Sequence, residues 1–189
     1  IFCYSNIMVS SKFRAQIGVF GGSGFYDFLK NGRQIKIKTP YGRPSDKIFI
    51  GTYQDKKIAF LPRHGRHHLY PPHKIPYRAN LYAFKMLGVK QIISPVATGS
   101  LKSKIKPGDF VICDQFVDRT HGREDTYFEG HGKGVVHISS AEPYCPELRK
   151  LAIRNAQRLK MPYFKKGTVV VIDGPRFSTK ADSSYYLKI

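Results

Sequence analysis

The chain has 189 residues, 41% hydrophobic and 13% aromatic, a composition that fits a globular protein and excludes a disordered one. No apolar run approaches the roughly 18 residues that a membrane-spanning helix needs, so no membrane association is expected. Lysine and arginine number 32 against 13 acidic residues, and the resulting formal net charge of +19 favours a polyanion such as nucleic acid, a membrane surface or a phosphorylated substrate, unless it is only a lysine-rich solvated surface.

The N-terminal segment differs in character from the rest of the chain. It begins without Met and lacks the basic stretch and cleavage site of a signal peptide, so residues 1–16 are expected to be a disordered or non-native leader, with Met8 a candidate start. Residues 17–189 are expected to form one domain. Three widely spaced cysteines without a CxxC motif indicate a reducing cytoplasm rather than a disulfide framework.

Strands and helices alternate along the domain. Short apolar or alternating runs predict strands in "IGVF", "RQIKIKT", "DKIFIGTY", "KKIAFLP", "QIISPVA", "DFVICDQF" and "TVVVID". Apolar residues at helical spacing predict helices in "YRANLYAFKMLG" and "PELRKLAIRNAQRLKM", the second with an apolar face of Leu148, Leu151, Ala152, Asn155 and Leu159. The order predicts an α/β fold, a mixed twisted β-sheet flanked by helices, with an antiparallel segment near residues 34–62.

The glycine-rich turn "GGSG" follows the first predicted strand. Its glycines would let backbone N–H groups approach an anion, and Ser23 would add a hydroxyl donor. The sequence lacks the GxGxxG spacing of a dinucleotide site and the GK[ST] of a P-loop. The motif therefore leaves two readings open, a tight turn or a phosphate site.

The stretch "LPRHGRHHLYPPHK" contains four histidines, two arginines and a lysine. A metal site is not expected, because the region from Phe60 to Asn80 has neither acidic residue nor cysteine and its cations would repel a metal ion. Arg63 follows directly on a predicted strand, where its guanidinium could hold phosphate oxygens and His64 could add a hydrogen bond. The alternative is a basic surface loop.

Two further segments carry candidate ligand contacts. In "DGPRFST", Phe177 could stack on a flat ring and Ser178 could hydrogen-bond it, or the segment is an ordinary turn with Ser178 or Thr179 as a helix cap. His137, in "VVHISSAEPYCP", could be a surface, core or ligand-contacting histidine.

Seven motifs in order resemble the methylthioadenosine phosphorylases, which belong to the trimeric purine nucleoside phosphorylase family. They are "IGVFGGSGFYD", "TPYGRPSD", "LPRHGRHH", "PPHKIPYRANLYAFKMLG", "GSLKSKIKPGDFVICDQFVDRT", "AEPYCP" and "GTVVVIDGPRFST". The resemblance implies a nucleoside phosphorylase fold and a pentosyltransferase that cleaves 5′-methylthioadenosine with phosphate to adenine and 5-methylthioribose 1-phosphate. It also implies a cytoplasmic homotrimer of purine and methionine salvage that needs no metal or organic cofactor.

The resemblance assigns roles to matching positions. Ser23, Arg63, His64 and Ala97 would bind phosphate, Phe177 and Ser178 would form the base pocket, and His137 would reach a neighbouring subunit near the methylthio group.

Two departures from the family pattern stand out. The family usually has Thr, Ser or Asn where this chain has Val96, whose side chain cannot hydrogen-bond phosphate. Relatives also continue for roughly another third, so the fold is expected to be incomplete at its C-terminus, with "SSYYLKI" resembling a truncated or frame-shifted tail. The aspartates that protonate the leaving base are expected beyond residue 189, and this chain alone is expected to have little activity.

Other functions remain open at this stage. A methylthioinosine or general purine nucleoside phosphorylase would share most of the motifs. A basic nucleic-acid-binding module is the alternative from a different class, suggested by the charge of +19.

Overall fold

The computed structural model describes residues 10–22, 32–130 and 134–188. The chain divides into two compact units. Unit 1 comprises Ile1–Ala97 and Glu124–Tyr127, and unit 2 comprises Thr98–Arg123 and Phe128–Ile189.

Unit 1 is built on a five-stranded mixed sheet. Its strands are β1 (Ile17–Gly21), β2 (Gly32–Ile35), β3 (Ile48–Tyr53), β4 (Lys56–Pro62) and β5 (Gln91–Ile93), in the spatial order β2-β3-β4-β1-β5. Strands β2, β3 and β4 pair antiparallel, whereas β1 lies parallel to both β4 and β5. The predicted mixed sheet and its antiparallel segment are confirmed.

The ends of these strands follow local chemistry. Gln54 and Asp55 both have positive φ in the turn between β3 and β4, the conformation that a tight hairpin requires. Strand β5 stops at Ile93, before Pro95, which has no N–H to donate to a neighbouring strand. Strand β2 ends at Ile35, so the predicted strand was too long, and Ile37 is buried beyond its end.

The helix α1 (Tyr77–Met86) packs on this sheet, as predicted. Its Ala83 and Phe84 join Phe20, Ile48 and Leu61 in the main core, and the rings of Phe20 and Phe84 stack at 4.5 Å between centroids. Gly88, with a φ of 78°, follows the helix, as expected of a glycine that ends one.

Residues before the predicted boundary at residue 17 also take part in the fold. Ser11–Phe13 form a short 3₁₀ turn, and Ala15 is 3% exposed in the main core. The Ala15 N–H donates to the Leu87 carbonyl oxygen at 3.0 Å. Residues 10–16 thus belong to unit 1, while the rest of the predicted leader, residues 1–9, lies outside the described residues.

Unit 2 contains two short parallel pairs. Strand β6 (Phe110–Val111) pairs with β8 (Tyr163–Phe164), and β7 (Gln115–Arg119) pairs with β9 (Thr168–Ile172). The single strand predicted over "DFVICDQF" was wrong, because the chain changes partner near Asp114. There the Asp114 carboxylate accepts the Gly167 N–H at 3.0 Å.

The helix α2 (Pro146–Arg158) is where the second helical pattern predicted it, but a different face turns inward. Leu151 and Leu159 are 43% and 60% exposed, and Ala156 is the buried residue of the helix. Arg149 explains the orientation: its guanidinium donates to the Cys113 and Lys165 carbonyl oxygens, each at 2.8 Å. The Arg149 side of α2 therefore faces the ends of β6 and β8.

The last helix, α3, runs over Lys180–Lys188 without interruption. It includes most of the "SSYYLKI" tail that sequence reasoning took for frame-shifted. Thr179 caps it through a reciprocal pair, in which the Thr179 hydroxyl accepts the Asp182 N–H and the Asp182 carboxylate accepts the Thr179 N–H, each at 3.0 Å. In the part of the chain that the structure describes, no helix is long and apolar enough to cross a membrane.

Candidate functional site

The ends of two parallel strands bring Arg63 next to Gly21 and Gly22, the first two residues of the glycine-rich motif. Register pairs Gly21 with Pro62 at the carboxyl ends of β1 and β4, and the Arg63 N–H donates to the Gly21 carbonyl oxygen at 3.0 Å. A Cβ built on Gly22 would lie 3.9 Å from a terminal guanidinium nitrogen of Arg63. The guanidinium thus lies beside the start of the glycine turn, whereas Ser23 lies outside the described residues.

The environment of Arg63 favours an anion. The side chain is half-buried, and loss of hydration holds the pKa of its guanidinium below the ordinary value. Within residues 10–22, 32–130 and 134–188, no carboxylate pairs with this guanidinium; Asp46, for comparison, pairs with the next arginine, Arg66. A partly dehydrated cation of this kind gains most from an anionic ligand.

His64 presents one ring nitrogen to a ligand. Its Nδ1 lies 3.0 Å from the Tyr70 carbonyl oxygen, which only accepts, so Nδ1 carries the proton of that hydrogen bond. The Tyr70 N–H in turn donates to the His64 carbonyl oxygen at 3.0 Å, and the ring stacks on His68. The imidazole orientation is therefore fixed, and among residues 10–22, 32–130 and 134–188 no hydrogen bond engages Nε2.

The predicted fourth phosphate residue, Ala97, follows β5. Because β5 is parallel to β1, the chain leaves it at the same edge of the sheet from which Gly21 and Pro62 leave. Val96 and Ala97 are exposed in this segment. The topology thus brings Arg63, His64 and Ala97 to one edge of the unit 1 sheet, and their shared role in phosphate binding stays a prediction.

The predicted base-pocket residues lie in unit 2, after β9. Phe177 is 93% exposed, so its ring face is available for stacking. The Ser178 hydroxyl is half-buried and hydrogen-bonds the Ser183 hydroxyl at 2.8 Å. Of the two residues predicted as the helix cap, Thr179 caps α3. The Ser178 hydroxyl instead contacts Ser183 within the helix.

Asp173 is a residue of this loop that sequence reasoning did not assign. Its carboxylate accepts the His121 N–H at 2.7 Å and lies 3.3 Å from Arg123 Nε. The hydrogen bond from His121, followed by the charge and hydrogen bond of Arg123, lowers the pKa of the Asp173 carboxyl. Asp173 thus joins the loop after β7 to the loop that carries Phe177; its place directly after a strand was the available signal.

His137 lies in an exposed, irregular stretch of unit 2. Its neighbours Val135 and Ile138 are 80% and 73% exposed. The structure brings neither Phe177 nor Ser178 into a described contact with it, so its predicted role at a neighbouring subunit stays a prediction.

Potential metal ligands do not cluster in the described ranges. Among residues 10–22, 32–130 and 134–188, no group of three or more His, Cys, Asp or Glu side chains could hold a metal ion. In the loop after β4, the His64 and His68 rings stack face to face at 4.8 Å between centroids.

Comparison with known proteins identifies the class. The phosphorylase superfamily matches residues 16–189, a range that contains strands β1 to β9 and helices α1 to α3. The chain therefore belongs to the phosphorylase superfamily.

Individual relatives show which kinds of phosphorylase the chain is similar to. The chain is 53% identical over 172 residues to the S-methyl-5′-thioadenosine phosphorylase of Thermofilum pendens, covering 90% of this chain and 65% of the relative. It is 46% identical over 184 residues to a purine nucleoside phosphorylase of Streptomyces coelicolor, covering 94% of this chain and 66% of the relative. The chain thus spans just under two thirds of the length of these relatives.

A solved structure agrees with these matches. The methylthioadenosine phosphorylase of Schistosoma mansoni in its apo form superimposes with a TM-score of 0.88 at 36% identity, covering 93% of this chain and 70% of that one. The nucleoside phosphorylase fold expected from the sequence motifs is confirmed.

Proposed function

We propose that the protein is an S-methyl-5′-thioadenosine phosphorylase, a pentosyltransferase that uses inorganic phosphate to convert methylthioadenosine to adenine and 5-methylthioribose 1-phosphate. The observation that carries the proposal is the half-buried Arg63 guanidinium, without a carboxylate partner among the described residues, beside the glycine turn. The superfamily match and the relatives' names support the same reaction.

Arg63 and His64 would bind phosphate in this reaction. The guanidinium fork would hold two phosphate oxygens, and His64 would turn Nε2 towards the anion, since its Nδ1 is engaged by the Tyr70 carbonyl oxygen. Ser23 and the Ala97 backbone complete the proposed phosphate set. Phosphate is the nucleophile, so this clamp sets its position and orientation for attack on the sugar.

The sugar carbon attacked by phosphate develops positive charge, as in glycoside cleavage. A phosphate oxygen forms the new bond to the anomeric carbon while the bond to the purine nitrogen breaks and its electron pair stays on the base. The anionic phosphate stabilises the positive charge as it forms. The leaving adenine takes up a proton, for which no described residue is assigned.

Phe177 and Ser178 would bind the purine. A ring that is almost fully exposed on a loop offers one flat face to a base, and the Ser178 hydroxyl can accept or donate beside its bond to Ser183. His137 would serve a neighbouring subunit of a homotrimer. We further propose a cytoplasmic enzyme of purine and methionine salvage that needs no metal or organic cofactor.

Phosphate binding tests the proposed roles of Arg63 and His64 directly. We expect inorganic phosphate to raise the thermal stability of the chain at fixed ionic strength, and to give a saturable isotherm in calorimetry. Arg63→Ala should abolish both effects. Lys56→Ala is the matched control, because it removes one positive charge from the opposite end of the same strand.

Two results would contradict the proposal. One is stabilisation by chloride equal to that by phosphate, and the other is equal phosphate binding by Arg63→Ala. Phosphate-dependent release of adenine from methylthioadenosine, compared with hypoxanthine from inosine, then separates the proposed enzyme from a general purine nucleoside phosphorylase such as the Streptomyces relative. Tight, steeply salt-dependent binding of DNA without a phosphate effect would instead favour the nucleic-acid alternative.

A further inference from the structure

Two buried polar residues, Ser45 and Asn80, form a series of hydrogen bonds that ends at the residue before Arg63. Ser45 and Asn80 are 5% and 2% exposed. The Ser45 N–H donates to Asn80 Oδ1 at 2.8 Å, and the Ser45 hydroxyl donates to the Pro62 carbonyl oxygen at 2.6 Å. Polar groups buried at this depth are retained only where their hydrogen bonds are made, so the three partners are held in fixed relation.

This series of hydrogen bonds ends at the Pro62 carbonyl, in the peptide group that precedes Arg63. The Pro62 carbonyl oxygen also accepts the Gly65 N–H at 3.0 Å, which closes a four-residue turn with Arg63 and His64 at its centre. The Pro62 carbonyl oxygen thus accepts two hydrogen bonds, one from the Gly65 N–H that closes the turn and one from the Ser45 hydroxyl. The Arg63 N–H is bonded to Gly21, so the backbone of Arg63 is held on both sides.

The backbone of the Ser45 segment also packs against the turn. A Cβ built on Gly65, whose φ is 70°, would lie 2.9 Å from the Ser45 carbonyl oxygen. One residue further, the Asp46 carboxylate accepts the Arg66 N–H at 2.9 Å. Ser45 and Asp46 therefore hold the turn at its first residue and just past its last.

We propose that Ser45 and Asp46 are positioning residues for anion binding by Arg63 and His64, Ser45 acting through the Pro62 carbonyl and Asp46 through the Arg66 amide. The inference rests on the proposed phosphate role of Arg63 and extends it to residues that touch no ligand. Asn80 supports Ser45 from α1. Neither Ser45 nor Asp46 was assigned chemistry by the sequence motifs.

Phosphate affinity distinguishes positioning from mere structural support. Ser45→Ala removes the hydrogen bond to Pro62, and we expect it to raise the phosphate Kd about tenfold, the scale seen when an outer partner of a binding residue is removed. Thr39→Val is the matched control, because Thr39 is 4% exposed in the same unit and its hydroxyl donates to the Gly42 carbonyl oxygen at 2.8 Å. It should lose comparable stability in urea and keep its phosphate Kd.

The Asp46 pair provides a test that does not depend on a buried substitution. Asp46→Ala removes both the acceptor for the Arg66 N–H and a negative charge near the proposed anion site. The lost charge alone would tighten phosphate binding, so several-fold weaker binding is expected only if Asp46 positions the turn. Asp46→Asn keeps an acceptor oxygen and should bind phosphate at least as tightly as the wild type.

The outcomes separate the two proposals. If the wild-type chain binds phosphate but Asp46→Ala binds as tightly as Asp46→Asn, and Ser45→Ala as tightly as Thr39→Val, the positioning role is overturned and the proposed function stands. If the wild-type chain binds no phosphate, the proposed function fails first. If Ser45→Ala does not fold, the Asp46 pair alone decides.

Discussion

Gly18 in β1 lies directly against the ring of Phe84 in α1. A Cβ at residue 18 would come within 2.7 Å of Phe84 Cδ2, closer than side chains approach each other in folded proteins. The missing side chain of Gly18 therefore sets how near the helix can pack to the strand, and this packing supports the strand whose end carries the glycine turn.

Gly18→Ala is expected to destabilise unit 1 by about 1–3 kcal/mol, because the added methyl group overpacks a closed core. Urea unfolding monitored by circular dichroism measures the loss. In a Phe84→Leu background the same change should cost clearly less, since the ring carbons that meet the new methyl group are gone. Equal costs in the two backgrounds would place the strain elsewhere.

Asp173 should titrate at a lower pH than an ordinary aspartate, because the folded protein lowers its pKa through the His121 N–H and Arg123. A lowered pKa means that the carboxylate stabilises the fold fully above about pH 3.9, the usual aspartate value, and loses this contribution as the pH falls through the folded pKa. The His121 amide proton reports the event by NMR, with a midpoint below that of a model aspartate. Asp173→Asn should abolish the pH-dependent change in the chemical shift of the His121 amide proton.

Thr179→Ala is expected to weaken α3 by about 1 kcal/mol, because it removes the side-chain acceptor of the Asp182 N–H at the first turn. Amide hydrogen exchange in Lys180–Lys188 should accelerate. Ser184→Ala, an exposed change inside the same helix, is the control and should leave protection unchanged or improve it. Unaltered exchange in Thr179→Ala would show that the capping pair contributes little.

Phe177→Ala is expected to weaken methylthioadenosine binding at least about fivefold, the low end of base–aromatic stacking, while stability changes by less than about 0.5 kcal/mol. The small change in stability is expected because a ring that is 93% exposed contributes little to folding. Phe177→Tyr keeps the ring face and should bind like the wild type. Calorimetric titration measures both variants, and equal nucleoside affinity of Phe177→Ala would remove Phe177 from the base pocket.

Val96→Thr is expected to strengthen phosphate binding by roughly tenfold, the value of one added hydrogen bond to a charged group. Val96 is 61% exposed, so the hydroxyl can be introduced without disturbing packing. Val135→Thr, an equivalent change at an exposed valine of unit 2, should leave phosphate affinity unchanged. Unimproved binding in Val96→Thr would place residue 96 away from the anion.

Local patterns predicted β4 and α1 of unit 1 because each of these two patterns matched its final environment. The apolar run before Arg63 became β4 with its last five residues buried, and the helical spacing after Pro76 became α1. The position of Arg63 at a strand end followed from the same reading. The sequence pattern could not predict that Arg63 lies close to Gly22, because this depends on the parallel register of β1 with β4.

Other features depend on hydrogen bonds between residues far apart in the chain, which a local sequence pattern does not predict. The inward face of α2 is set by Arg149, whose carbonyl acceptors lie 36 and 16 residues away in the chain. The same holds for Ser45, which bonds to residues 35 and 17 positions away. Periodicity carries no information about such pairs, although the polar Asn80 on the buried side of a helix is a signal that a partner must exist.

The parallel arrangement of β4, β1 and β5 has a consequence for how ligand preference can change during evolution. The three strands end at the same edge of the sheet, where Gly22 follows β1, the Arg63–His64 turn follows β4 and the Val96–Ala97 segment follows β5. The side chains of these segments lie outside the backbone pairing of the three strands. Anion affinity can therefore be adjusted one loop at a time, while the sheet beneath stays the same.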